Sequence, residues 1–332
     1  MLRRTMTHSV SFVAIVAALA MAACSKKAEA PKEEVAPPPP AAAVEPAPAP
    51  APMSENVKTF QIGELSAMAL RDGSLELPND NKVLGMGRTP EEVAAVLSAA
   101  GQPTDKLALS IQPLLVKAKD RVLLFDTGAG GNMGAGAGKV TDSLSEAGVD
   151  PYSITDIFIS HSHGDHVGGL LNVDLTLAFP NAAIHLSKAE WKSMSGLTAE
   201  QAKKMGVENY AERIAAIKPK VAEFAPGSEL VPGTVKAVEI KGHTPGHSGY
   251  LITSGADSLL YVGDSMHHFV VSVQKPEWTI AFDGDSPTAT KSRTELIAAS
   301  AANGQRIYAV HFPFPGIGKF EKREQGIVWV GE

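Results

Sequence analysis

The stretch HSHGDH, residues 161–166, sets three histidines and an aspartate in six positions. In an extended or turning backbone, successive side chains alternate sides, so His161 and His163 project one way while Asp165 and His166 turn toward another. One turn can thus serve two metal ions. It cannot complete both sites, and the remaining donors must come from elsewhere in the chain. A lone loop histidine would read as solvated; four ligand-type side chains followed by VGGL do not.

Working outward, five apolar runs of strand length carry an Asp or His at their ends: VLLFDTG (122–128), ITDIFISH (154–161), VKAVEIKGH (235–243), SLLYVGD (258–264) and RIYAVH (306–311). Loops at strand ends carry the sites of layered α/β domains, because the strands hold them on one edge of the sheet. His243 lies in GHTPGHSGY (242–250), where Pro245 and the glycines force a tight turn. It supplies the third nitrogen for the first ion. His247 is read as shaping that turn and orienting its neighbours rather than as a ligand. Asp264 can set one carboxylate between two ions, and His311 can complete the second. Helical patterns at 91–101, from Ser143 to a stop at Gly148, over roughly 188–205, and at 290–303 should cover the sheets. GAGGNMGAGAGK (128–139) is not a phosphate loop, since Met133 and Val140 stand where Gly and Ser or Thr belong. It reads as a flexible loop beside the site.

HSHGDH, GHTPGH, Gly263–Asp264 and the late His311 together resemble the metallo-β-lactamase superfamily, over most of residues 55–325. LLFDTGAGG, LAFPNA, LVPG and HFPFPGIG are most similar to the methyl parathion hydrolases within it. The resemblance implies an α/β fold, an αββα sandwich with a dinuclear site in a groove at one edge of the sheets. It implies His161, His163 and His243 on the first ion, Asp165, His166 and His311 on the second, and Asp264 bridging both, with Asp264 and Asp165 as the catalytic carboxylates. Asp126 matches an early aspartate that orients the ligand loop. Trp191 matches a pocket tryptophan, whereas Met133 departs from an aromatic side chain.

Two divalent ions about 3.5–4 Å apart can share a water and lower its pKa to about 7, which gives a hydroxide nucleophile without a serine or cysteine. Histidine and carboxylate donors suit zinc, with manganese, iron or cobalt also compatible, so two divalent ions, Zn2+ first, are the expected cofactors. The expected activity is metal-dependent hydrolysis of a neutral ester-like small molecule, first an organophosphate triester of the methyl parathion type. A lactonase, carboxylesterase or β-lactamase could use the same site. A mononuclear iron dioxygenase would leave Asp165, His166 and His311 without a shared purpose, and a non-catalytic metal-binding lipoprotein is a further alternative. Trp191, Phe269, Trp278, Phe282, Phe312 and Phe314 are candidates for an apolar pocket, with Trp191, Phe269 and Phe314 taken as its wall.

The chain has 332 residues and a net charge of -6 with no cluster of basic residues, which gives no footprint for nucleic acid. Residues 1–23 read as a signal peptide, with Arg3 and Arg4 before a short apolar run. The single cysteine, Cys24, follows Met21, Ala22 and Ala23 in a pattern resembling a bacterial lipobox, and it excludes an intrachain disulfide. An ordinary signal cleavage beside a chance cysteine is the alternative. Residues 24–54 form a lipidated cysteine and an Ala/Pro-rich tether that cannot offset its chain entropy by burial. Residues 55–332 make one hydrolase domain. The protein is expected to be exported to the periplasm and attached by lipid, with Ser25 pointing to the outer membrane.

Overall fold

Leu114–Ala118 and Arg121–Phe125 show why the centre of the chain is sheet. Leu114, Val116, Leu123 and Phe125 enter one apolar cluster, and the intervening Leu115 and Leu124 enter another. That is the period-two burial of strands covered on both faces. The computed structural model describes residues 54–131, 136–204 and 207–332. The signal segment, Cys24, the tether up to residue 53 and Met133 lie outside them.

The described chain opens with β1 (Val57–Ile62), β2 (Leu65–Leu70), β3 (Gly73–Pro78), β4 (Leu84–Met86), α1 (Pro90–Ala99), β5 (Lys106–Ile111), β6 (Leu114–Ala118) and β7 (Arg121–Phe125). It continues through α2 (Val140–Glu146), β8 (Asp156–Phe158), α3 (Gly164–Val167), β9 (Ala183–Ser187), α4 (Lys188–Ser195), α5 (Ala199–Lys204), α6 (Tyr210–Ile217) and β10 (Val221–Phe224). Then come β11 (Glu229–Val231), β12 (Val235–Glu239), β13 (Ser248–Ser254), β14 (Asp257–Tyr261), α7 (Val271–Gln274) and β15 (Thr279–Ile280). The last elements are α8 (Ser286–Asn303), β16 (Arg306–Tyr308), β17 (Ile317–Arg323) and β18 (Gly326–Gly331).

Two seven-stranded sheets result, ordered β1-β2-β6-β7-β8-β9-β10 and β11-β12-β13-β14-β16-β17-β18. Their inner faces meet in a core that includes Phe125, Phe158, Tyr250, Tyr261 and Tyr308. On the outer face of the first sheet, Leu124, Ile157 and Ile184 pack against Leu144 of α2, Met194 of α4 and Ile217 of α6. On that of the second, Leu260 and Ile307 pack against Val273 of α7 and Ile297 of α8. The layers are therefore helix, sheet, sheet, helix, the αββα sandwich expected from the sequence. Two phenols stitch the sheets together: Tyr250 donates to the Ile159 carbonyl at 2.5 Å and Tyr261 to Asp126 Oδ2 at 2.7 Å.

Several expected boundaries move for local reasons. α2 starts at Val140, three residues before Ser143, because the buried Asp72 carboxylate accepts the Val140 N–H at 2.9 Å and caps the helix from outside. Ser143 sits inside the helix and donates to the Arg71 carbonyl at 2.6 Å. The 188–205 pattern splits at Gly196 into α4 and α5. α8 begins at Ser286, earlier than position 290, since Asp285 caps the Thr288 N–H and a proline occupies the first turn. α6 was not foreseen. The strands also end one to four residues before their Asp or His, so these donors sit in loops beyond the sheet edge.

Candidate metal centre

Each donor loop leaves a different strand. The β8 loop carries His161 and His163, and α3 then turns Asp165 and His166 inward, with His163 in extended backbone (φ -69°, ψ 155°) just before the helix. The loops after β12, β14 and β16 bring His243, Asp264 and His311. Gly263 lets the second of these turn: its φ is +50°, and a Cβ there would lie 2.5 Å from His247 Nε2.

The far nitrogens fix the tautomers. His161 Nδ1 lies 3.0 Å from Ser160 Oγ, whose proton goes to Asp126 Oδ2 at 2.7 Å. His166 Nδ1 lies 2.7 Å from Asp126 Oδ2, His243 Nδ1 3.0 Å from Asp283 Oδ1, and His311 Nδ1 2.7 Å from the Ser110 carbonyl. All of these neighbours accept, so each ring donates through Nδ1 and turns an Nε2 lone pair inward. Those lone pairs converge. His243 Nε2 is 3.2 Å from His161 Nε2 and 3.1 Å from His163 Nδ1. Asp264 Oδ1 is 3.1 Å from both His166 Nε2 and His311 Nε2, while Asp264 Oδ2 is 3.6 and 3.5 Å from His161 and His243 Nε2. Asp165 Oδ2 is 3.6 Å from both His166 and His311 Nε2.

Acceptors facing acceptors repel unless a cation lies among them. Two donors on one tetrahedral ion, each about 2.0–2.2 Å from it, stand roughly 3.4 Å apart, close to the spacings found here. The residues therefore fit two divalent ions. His161, His163, His243 and Asp264 form one set able to hold a metal, and Asp165, His166 and His311 another. Burial and the neighbouring imidazoles hold His161 and His243 well below the usual histidine range, neutral and ready to ligate. Burial also acts on His166 and His311, but Asp264 and Asp165 outweigh it and push both up, so that on these two rings a bound cation would take the place of a proton on the inward nitrogen. Asp264 is held well below its ordinary value: burial opposes its charge, yet the surrounding imidazoles prevail.

Further buried residues hold the donors from outside. Asp126, in left-handed backbone at φ 56°, also accepts the Ser160 N–H at 2.7 Å and so pins the HSHGDH turn. His247 uses both nitrogens, Nδ1 donating to the Ile240 carbonyl at 3.0 Å and Nε2 accepting the Asp264 N–H at 2.9 Å. It shapes the turn and is not free to ligate. Glu190 was missed; it is buried and accepts from Ser162 N, Ser162 Oγ, Thr244 Oγ1 and Gly246 N at 2.6–2.9 Å, tying the HSHGDH turn to the GHTPGH turn. Asp283 was missed as well, although TIAFD ends in an aspartate as the other runs do; buried Arg293 holds its other oxygen at 3.2 Å. His267, three residues past Asp264, is fully buried and was also overlooked.

A cavity of about 820 Å³ opens onto His163, Asp165, His243, Asp264, His267 and His311. Its wall is largely aliphatic, with Tyr210 and Phe282 beside the aliphatic residues. Val167, Leu170 and Leu171 line it beside Met194, Leu197, Val207, Ile214 and Ile217, with Leu75 and Leu109 also lining it. Of the expected aromatic wall, Trp191, Phe269 and Phe314 are absent. Glu190, Ser193, Met194 and Leu197 line the cavity at helical spacing, and Trp191 lies off that face, packed on the outer core of the first sheet. Phe269 packs under the second sheet, and Phe314 lies beneath the Arg71 guanidinium at 4.4 Å. Trp278 and Phe312 are core residues. Phe282 does reach the cavity, 38 % exposed.

Solved structures share this arrangement of layers. The chain is similar to AidC, described as a dizinc quorum-quenching lactonase in complex with the product N-hexanoyl-L-homoserine, at 30 % identity and a TM-score of 0.76 over 83 % of this chain and 97 % of that one. It is similar to AbOPH, a hydrolase in the β-lactamase superfamily, at 29 % identity and a TM-score of 0.75 over 85 % and 99 %. A probable metallo-hydrolase of Mycobacterium tuberculosis is 25 % identical over 191 residues, 49 % of this chain, and the match spans 58 % of that relative's length. The model of the metallo-β-lactamase superfamily matches residues 109–311, from the strand that anchors His311 to His311 itself. Donor loops, layers and matched segment agree, and the chain belongs to the metallo-β-lactamase superfamily of metal-dependent hydrolases.

Proposed function

We propose that this chain hydrolyses a neutral carboxylic ester or lactone carrying an aliphatic chain. The observation that carries the reading is the aliphatic cavity whose inner end is the donor cluster. Burying an alkyl chain there is worth about 0.8 kcal/mol per CH2. Arg213 is the one Lys or Arg among the described lining residues, and its Nε donates to the Glu208 carbonyl at 3.1 Å, which leaves no cationic cluster for an anionic substrate. When bound, two divalent ions would supply Lewis acidity toward the substrate oxygen and lower the pKa of water. The protein's share is orientation: Asp126, Asp283 and the Ser110 carbonyl hold the imidazoles, Glu190 holds two loops in register, and the aliphatic wall excludes water from the reacting end. AidC's bound product makes an acyl lactone the first compound to try.

An organophosphate triester is the second reading. It is supported by the HFPFPGIG motif and by Phe282 at the cavity, available to stack on an aryl leaving group. The deciding experiment is a hydrolysis screen on metal-loaded protein with short- and long-chain acyl lactones, aryl esters, lactams and aryl phosphotriesters. Long-chain lactones should have the highest kcat/KM, and Ile214→Ser should raise KM for long chains more than for short ones. Faster turnover of a phosphotriester than of every lactone would overturn the first reading in favour of the second.

A further inference from the structure

We propose that His267 is a metal-binding residue, forming with Asp264 and His311 an alternative station for the second divalent ion. The inference rests on the reading of the centre as dinuclear and goes beyond the seven donors already described. His267 is fully buried, and both ring nitrogens lack a hydrogen-bond partner. Leaving such groups unpaired is costly, so an unpaired buried imidazole asks for a ligand. Among the described residues, the few side-chain atoms with the same signature include His166 Nε2 and Asp264 Oδ1, both in the donor cluster.

Geometry selects a metal. His267 Nε2 stands 3.2 Å from Asp264 Oδ2 without the alignment of a hydrogen bond, a spacing shared with the other donors. His311 Nε2 is 3.2 Å from the same oxygen, and the His267 and His311 rings lie parallel, 9° apart, with centroids 5.4 Å apart. Asp264, His267 and His311 each offer a donor atom within 4.8 Å of the others, and all three residues are buried. Two of the three also serve the sets already described, so this station overlaps the second site. An ion there would exchange Asp165 and His166 for His267 while keeping Asp264 and His311. The nitrogen and carboxylate donors suit zinc or cobalt.

The test is titration of chelator-stripped full-length protein with Co2+, read by calorimetry and by the visible absorption of the bound ion, in wild type, Asp165→Ala, and Asp165→Ala combined with His267→Gln or His267→Leu. Wild type should take two ions. Asp165→Ala should keep the second on the alternative station, with a changed spectrum and on the order of tenfold weaker affinity. Adding either His267 substitution should abolish that second binding and leave the first ion in place. His267→Leu removes unpaired polar atoms from the interior, so the metal-free variant should melt no lower than wild type, which separates lost binding from lost folding. Equal binding of the second ion with and without His267, or loss of it in Asp165→Ala alone, would overturn the inference and leave the dinuclear reading standing. One ion per wild-type chain would overturn both.

Discussion

Asp264 is the residue on which both donor sets turn, since its carboxylate lies 3.1 Å from His166 and His311 and 3.5–3.6 Å from His243 and His161. Asp264→Asn keeps the shape and removes the charge and one acceptor. Activity on the best ester should fall at least about a hundredfold, because misplacing a reacting group by about 1 Å already has that effect. Circular dichroism should stay native, as the side chain lies beyond a strand end and not in the sandwich core. Near-normal kcat with two bound metals would remove Asp264 from its assigned role. The donors were legible because histidine and aspartate crowded into one turn have few structural uses. Glu190, Asp283 and His267 were not, since a single acid or imidazole near an apolar run reveals its partners only after folding.

At the level of elements, a buried carboxylate ties three parallel strands together. Asp156 of β8 receives Arg121 of β7 at 3.0 Å and His185 of β9 at 2.9 Å, at the end of β8 remote from its donor loop. Burial alone would raise its pKa, but the hydrogen bonds from His185 and Thr155 and the charge of Arg121 outweigh burial and leave it lowered. A depressed folded pKa means stability that is present above the unfolded value, about 4, and lost as pH falls through the folded one. Asp156→Asn should therefore cost about 1.5–3 kcal/mol at neutral pH. The gap in Tm between wild type and variant should close below about pH 4, and a gap independent of pH would contradict the assignment. Strand cores were readable as short apolar runs, as in VLLFDTG and SLLYVGD. Their ends were not, because a run such as ITDIFISH stays apolar past its last ladder bond. α2 likewise takes its start from Asp72, which is distant in sequence and outside the reach of local capping rules.

For the whole molecule, the four layers and the edge that carries the centre followed from strand-ending donors and from the resemblance they supported. The substrate wall did not follow, because aliphatic residues of α4, α5 and α6 look like ordinary core until the cavity beside them is seen. The attachment expected at Cys24 is tested by fractionation: Cys24→Ser should move the protein from membrane to soluble periplasm with its hydrolysis unchanged, and a wild type already soluble would refute it. The two phenols between the sheets carry a different consequence. His161, His163, Asp165 and His166 ride on the first sheet, whereas His243, Asp264 and His311 ride on the second. Tyr250 and Tyr261 therefore act as spacers that set how far one half of the jaw stands from the other. Catalytic tuning can then arise deep inside the sandwich, through substitutions that touch neither metal nor substrate and alter only the offset of two sheets.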